Sequence, residues 1–318
     1  MKGLELSERF YHEAVRPLLS GVAHAAGRLG SGSDVLGLDD DVSRDHDWGC
    51  RLTLLVEAEQ IKRVDELLEA ELPADFLGFP VRFATTWDAL VRHRAEVASV
   101  EGFSLSRLGH IPTSPIEWLL LPGQSLLEVT AGPVFHDAAG EFTALRERLA
   151  WYPQDVWLYT LASGWTQLCQ ELPLWHRAGG MVLQGRIQKH LIHLAFLLEK
   201  RWPAYSKWTE RWLGLTEFGR EFLKLDWEAA LLALHARLRS LGLVTAPATE
   251  PFFDRGYITA NSAVAEQLYA HIQDPEVAAL PRGLGSIEQW CDNSSLAFDH
   301  RRRVAAAAVY GATLDNDC

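Results

Sequence analysis

The stretch Gly30-Ser31-Gly32-Ser33-Asp34-Val35-Leu36-Gly37, with Asp39-Asp40-Asp41 and then Ser43-Arg44-Asp45-His46-Asp47-Trp48-Gly49 after it, decides how the amino-terminal half folds. With Asp45 taken as the opening of a β-strand, the alternation of side chains sends Asp45 and Asp47 to one face, with Cα atoms about 6.5 to 7 Å apart. Two carboxylates so placed can share divalent cations. The same parity sends Trp48, Cys50, Leu52, Leu54 and Val56 to the other face, an apolar row suited to packing under helices. Gly49, Arg51 and Thr53 continue the carboxylate side, and His46 points away from it.

Upstream, Leu6, Phe10, Ala14, Val15, Leu18 and Leu19 recur at helical spacing, which predicts a helix over 4–20 that Pro17 kinks or stops. A short strand through Ala25 and Ala26 then delivers the chain to the Gly-Ser turn. Glycines permit close backbone approach there, and residues 34–37 open a helical turn whose N–H groups face the serines.

Downstream, the pattern predicts a helix over 60–72 and strands over 79–85 and 95–100. In the last of these Glu96, Ala98 and Val100 share a face. A neighbouring strand lies about 4.8 Å away, so Glu96 can meet Asp45 and Asp47 across a sheet surface as a third carboxylate. Glu128, in a helical stretch, competes for that role, and Asp137, in a short connecting segment, suits turn chemistry better. Residues 114–131 read as helix interrupted at Pro122-Gly123, residues 132–137 as extended chain and 141–149 as helix.

From Val156 onward only helical periods appear, over 156–171, 182–201, 226–241 and 260–273, with Asp226 as N-cap and Gly242 as C′ residue of the third. The expected fold is an α/β region with a small mixed sheet over residues 1–150. A helical bundle over 151–318 follows it as a second domain.

The whole chain of 318 residues, 48% hydrophobic and 23% charged, has the composition of a globular protein. Its net charge of −12 argues against nonspecific affinity for a nucleic acid backbone. Twelve tryptophans call for large buried apolar surfaces or an aromatic-lined pocket. Cys50, Cys169, Cys291 and Cys318 form no CxxC motif, which suits a reduced, cytoplasmic setting. Neither a signal peptide nor an apolar run of membrane-spanning length is visible. There is no GxxxxGK[ST] loop, HExxH, GxSxG or GxGxxG motif. Asp39-Asp40-Asp41 and Arg301-Arg302-Arg303 read as solvated faces.

A Gly-Ser turn, a spacer over 34–44 and an Asp-x-Asp pair leading into an apolar strand resemble the nucleotidyltransferase superfamily typified by DNA polymerase beta and kanamycin nucleotidyltransferase. The segment 132–153 resembles the passage from catalytic to helical domain in antibiotic-type members. Trp202-Pro203-Ala204-Tyr205-Ser206-Lys207-Trp208 and Gly285-Ser286-Ile287-Glu288-Gln289-Trp290-Cys291-Asp292 resemble segments of a bacterial family whose domain has no known function, a resemblance spanning nearly the whole chain.

The resemblance implies a metal-dependent transfer of a nucleoside monophosphate from an NTP to a hydroxyl of a small molecule, with pyrophosphate released. Asp45, Asp47 and Glu96 would hold Mg2+ or Mn2+, hard cations that prefer oxygen ligands. Ser31, Gly32 and Ser33 would cradle the phosphates, with Arg44 and, from the helical domain, Lys207 as further phosphate ligands. ATP is the first NTP to consider. A lysine stem packed on Trp208 is the other reading of Lys207, and pairing with the acidic run is the other reading of Arg44. Two rival functions stand beside this one: an NTP-binding regulator without turnover, and nucleotidyl transfer to a protein side chain or a tRNA end.

Overall fold

The computed structural model of the chain describes residues 1–40 and 47–314. Arg44, Asp45 and His46 therefore lie outside the described residues. The chain divides into two compact units, Met1–Ile111 with Leu126–Ala150, and Pro112–Ser125 with Trp151–Cys318.

The first unit opens with α1 (Gly3–Phe10), whose Leu6 and Phe10 are fully buried. The helical path then widens into a π turn over Tyr11–Val15 and tightens into a 3-10 turn over Arg16–Leu19, with Pro17 near its start. The single helix expected over 4–20 is thus three segments of different pitch. β1 (His24–Gly27) and β2 (Arg51–Val56) pair antiparallel, and α2 (Ile61–Glu71) follows. Three two-residue strands come next: β3 (Asp75–Phe76), β4 (Phe79–Pro80) and β5 (Arg82–Phe83). The strand expected over 79–85 is split between them; Pro80 has no N–H for a ladder and ends β4.

β6 (Arg92–Ala98) gives way to α3 (Val100–Leu108), whose N-cap Ser99 accepts a hydrogen bond from the Gly102 N–H. That cap starts a helix at Val100, so Val100 leaves the strand face expected to hold it beside Glu96. α4 (Pro115–Leu120) belongs to the second unit, and α5 (Gly123–Thr130) begins there. β7 (Val134–Asp137) and α6 (Glu141–Arg148) complete the first unit.

The main sheet has the order β5-β6-β2-β1-β7; β2 and β6 run parallel and the other neighbours antiparallel. Cys50, Leu52, Leu54 and Val56 enter one buried cluster with Leu6, Phe10, Val64 and Leu68, and Trp48 packs against it. The apolar row read from the alternation is the core face of the sheet. Each fully buried leucine there contributes roughly 1.5 to 3 kcal/mol.

The strand itself begins at Arg51 rather than at Asp45. The Arg51 N–H donates to the Gly49 carbonyl at 2.8 Å, and a Cβ on Gly49 would lie 2.9 Å from the Phe83 ring. The chain pinches beneath Phe83, and the ladder starts past the pinch. Asp47 therefore sits in a turn ahead of β2.

In the second unit α7 (Gln154–Ala178) and α8 (Met181–Leu198) are the long helices. Around them stand α9 (Thr209–Leu213), α10 (Glu217–Phe222), α11 (Trp227–Ser240) and α12 (Ser262–Ala270). Asp226 caps α11 by accepting from the Ala229 N–H at 2.8 Å, and Gly242 beyond its end has φ +72°. Buried indoles pin the packing: Trp157 donates to the Leu197 carbonyl at 2.7 Å and Trp165 to the Asn261 carbonyl at 2.9 Å.

The unit is not purely helical. β8 (Thr249–Pro251) and β9 (Ile258–Ala260) form a hairpin that the helical reading of 151–318 missed. Of the run 301–303, Arg301 and Arg302 are exposed, as expected of a solvated face, but Arg303 is 1% exposed and donates from Nη1 to the Ala297 carbonyl. Among the described residues, no helix is long and apolar enough to cross a membrane.

Candidate functional site

The Gly-Ser bend follows β1 directly, and a buried ion pair gives it shape. Arg28 Nε donates to Asp34 Oδ2 at 2.6 Å and its Nη2 to Oδ1 at 2.9 Å. The same guanidinium donates to the Leu29 and Ser31 carbonyls, so one arginine closes the loop 28–34 from inside. Gly32 sits at φ +143°, and a Cβ there would fall 2.2 Å from Asp34 Oδ1 and 2.7 Å from Arg28 Nη2. Only glycine fits that point of the bend.

Ser31 and Gly32 are exposed and Ser33 is half-buried. The Ser33 carbonyl accepts from the Leu38 N–H and the Asp34 carbonyl from the Gly37 N–H, so 33–38 is a turn rather than the start of a helix. The bend is fastened to the rest of the unit by the Gly30 N–H, which donates to the Glu128 carbonyl at 2.9 Å. Asp39, expected in a solvated run, accepts from the Gly3 N–H at 2.7 Å and so lies at the start of α1, where a carboxylate is favoured.

The parallel register of β2 and β6 sets Arg51 beside Arg94 and Thr53 beside Glu96. Registered partners share a face, so Arg51, Thr53 and Glu96 stand opposite the core row. Arg51 lies with its guanidinium carbon 5.1 Å from the centre of the Trp87 ring. Burial above all, and Arg28 next, push its pKa down to about 10, while the charges of Asp34, Asp47 and Glu96 pull it back up. Carboxylates from the Gly-Ser bend, from the turn before β2 and from β6 therefore act on one guanidinium.

Each of the two described candidate metal ligands is held by protein donors. Asp47 accepts from the Thr86 N–H at 2.8 Å and from its hydroxyl at 2.6 Å. Glu96 accepts from a single nitrogen, Arg107 Nη2, at 2.8 and 2.7 Å to its two oxygens. Arg107 Nε lies 3.5 Å from Glu128 Oε2, so the two residues that compete for the third-carboxylate role hold the same guanidinium. Among the described residues, no group of three His, Cys, Asp or Glu side chains is close enough to hold a metal. Asp137 accepts from the Gly140 and Thr143 N–H groups and the Thr143 hydroxyl, which is turn and cap chemistry.

In the second unit, Lys207 is exposed, with its ammonium 5.3 Å from the centre of the Trp208 ring. That unit also contains a cavity of about 380 Å³ whose walls include Lys189, His193, Tyr205 and Glu288. At its edge Lys189 Nζ lies 2.5 Å from Asp292 Oδ1.

Sequence reasoning passed over the three arginines that organise the first unit's site. Arg28 carried a usable signal, standing just before the glycine turn with Asp34 on the turn's far side. Arg51 fell on the carboxylate side of the parity scheme without a role. Nothing in the pattern of α3 distinguished Arg107.

Residues 118–209 match a family described as a domain of unknown function (DUF4037). The matched stretch contains 132–153 and 202–208 but neither the Gly-Ser bend nor 285–292. No curated protein matches the chain. One similar solved structure is a nucleotidyltransferase-like protein from Exiguobacterium sibiricum 255-15. It is 16% identical, covers 73% of this chain and 75% of its own, and has a TM-score of 0.31, too loose a likeness to carry an argument about fold or function.

Proposed function

We propose that the first unit carries out metal-dependent nucleotidyl transfer, moving a nucleoside monophosphate from an NTP to a hydroxyl of a small molecule. The observation that supports this reading is the register of β2 and β6, which sets Glu96 on the sheet face that bears Thr53 and Arg51, while Arg107, bonded to Glu96, reaches the glycine-rich bend at Gly30. The acceptor hydroxyl attacks the α-phosphorus, the bond to the bridging oxygen of pyrophosphate breaks, and the hydroxyl proton passes to a carboxylate.

The donor set suits a hard cation, because Asp45, Asp47 and Glu96 offer only carboxylate oxygens, and Mg2+ or Mn2+ would be held there. When bound, such a cation neutralises charge building on the transferring phosphate. The chain's own part is placement. Backbone N–H groups and hydroxyls at Ser31, Gly32 and Ser33 hold the triphosphate. The Arg28–Asp34 pair keeps that cradle formed before substrate arrives. Arg51, with its guanidinium carbon 5.1 Å from the centre of the Trp87 ring, sets a positive charge beside the bend that attracts polyphosphate.

The Glu96–Arg107 pair favours one second reading, an NTP-binding regulator in which Glu96 never leaves its arginine. Incubating the protein with labelled NTPs, Mg2+ or Mn2+ and a metabolite extract separates the two. Transfer yields a labelled adduct and pyrophosphate, and Asp47→Asn slows both roughly 100-fold or more. Tight NTP binding with neither product, and insensitive to Asp47→Asn, supports the regulator instead.

A further inference from the structure

We propose that Arg107 is a latch on Glu96: it occupies the carboxylate while the site is empty and moves to polyphosphate oxygens when a nucleotide enters the Gly-Ser bend. This rests on the nucleotidyl-transfer reading and adds a positioning residue to it.

Four observations converge on Arg107. Its Nη2 engages both oxygens of Glu96, so the carboxylate meets an arginine where the transfer reading needs a cation. A Cβ built on Gly30 would lie 3.5 Å from the same Nη2, so the guanidinium already touches the bend proposed to cradle phosphate. Phe103 and Ser106, on the same helix, hold it in place, with the guanidinium carbon 4.8 Å from the Phe103 ring centre and Nη1 donating to the Ser106 hydroxyl at 2.8 Å. Its second carboxylate, Glu128, sits in the element that also accepts the Gly30 N–H, so releasing Glu96 leaves Arg107 tethered beside the bend rather than loose in solvent.

The neighbouring arginines are unsuited to this exchange. Arg28 is spent on Asp34 and two carbonyls inside the loop, at 2% exposure. Arg51 lies against Trp87, half-buried at the edge of the sheet face, and is placed to supply charge rather than to exchange partners. Arg107 has the planar donor fork that matches phosphate oxygens, and its present partner is half-exposed, so trading carboxylate for phosphate is cheap. Nucleotide entry and cation binding are thereby linked: the polyphosphate removes the guanidinium, and the carboxylate it leaves becomes free for a cation. The latch keeps the empty site from collecting cations without nucleotide.

The test measures binding, not turnover. Mn2+ alone, followed by electron paramagnetic resonance, and metal-free tripolyphosphate, followed by tryptophan fluorescence, are titrated into wild type, Arg107→Ala, Arg107→Lys and Asp47→Asn, with thermal melts to check folding. The latch predicts that Arg107→Ala binds Mn2+ about tenfold more tightly and tripolyphosphate about tenfold more weakly, opposite shifts of about 1.4 kcal/mol each. Arg107→Lys retains the charge but not the fork, and falls between on tripolyphosphate. If wild type binds Mn2+ in an Asp47-dependent way and both arginine variants match it on both ligands, the latch is overturned while the transfer reading stands. If neither wild type nor Arg107→Ala binds Mn2+ at all, both fall.

Discussion

Arg28 and Asp34 meet with side chains 2% and 10% exposed, whereas Arg107 and Glu96, beside the same bend, meet with side chains 22% and 41% exposed. Their hydrogen-bond lengths are similar, so distance alone does not separate them. Environment does. A buried pair whose remaining donors are tied to carbonyls cannot lose a partner without stranding a charge, which makes it scaffold. A half-exposed pair lets water replace either partner, which makes it exchangeable. The bend thus has one fixed arginine that shapes it and one movable arginine that answers to what it holds.

The largest effect expected from breaking this contrast is at the scaffold. Arg28→Ala leaves Asp34 buried without its partner and should cost about 3 to 5 kcal/mol in chemical denaturation. An acid titration is the next largest, and it must first be cleared of a contribution from the other unit. Burial foremost, with Lys189 and His193 beside it, pushes the His190 pKa down to about 4. An unfolded histidine takes its proton near pH 6.5 while the folded one stays neutral, so stability falls as pH drops from about 6.5 towards 4, by up to roughly 3 kcal/mol. His190→Leu should flatten that limb; an unchanged limb would assign it to the other histidines that burial holds neutral, His24 and His93.

Gly32→Ala is expected to cost about 1 to 3 kcal/mol, because the added methyl meets Asp34 and Arg28 at a backbone angle that side chains rarely adopt. It also tests whether the bend is pre-formed, since weaker tripolyphosphate binding should accompany the lost stability. The smallest effect should come from Arg107→Ala, under about 1 kcal/mol in a thermal melt. A loss there as large as that of Arg28→Ala would erase the distinction between the two pairs.

The difference between the pairs also explains what could be read from the sequence. Alternation is a local signal, and it placed Cys50, Leu52, Leu54 and Val56 on the core face correctly. The same alternation runs back through Asp45 and Asp47, which led the expected strand to begin too early; the pinch comes from Phe83, a residue distant in sequence. Caps such as Asp226 and Gly242 were visible because their geometry depends on nearest neighbours. The β8–β9 hairpin was not, since three-residue strands, one ending in Pro251, leave no period to detect.

At the candidate site, acidic residues drew attention because metal chemistry asks for them. The arginines did not, although Arg107 is where Glu96 and Glu128 meet. Choosing between those glutamates from sequence was unproductive for that reason: both hold one guanidinium, and only the register of β6 shows that Glu96 stands on the face of Thr53 and Arg51.

The most direct measurement is a crystal grown with Mn2+ and a non-hydrolysable ATP analogue, with the metal located by its anomalous scattering. The account predicts a peak bonded to Asp47 and Glu96 beside Gly32, with Arg107 turned to the phosphates. A peak elsewhere, with Asp47 still on Thr86 and Glu96 still on Arg107, would contradict it.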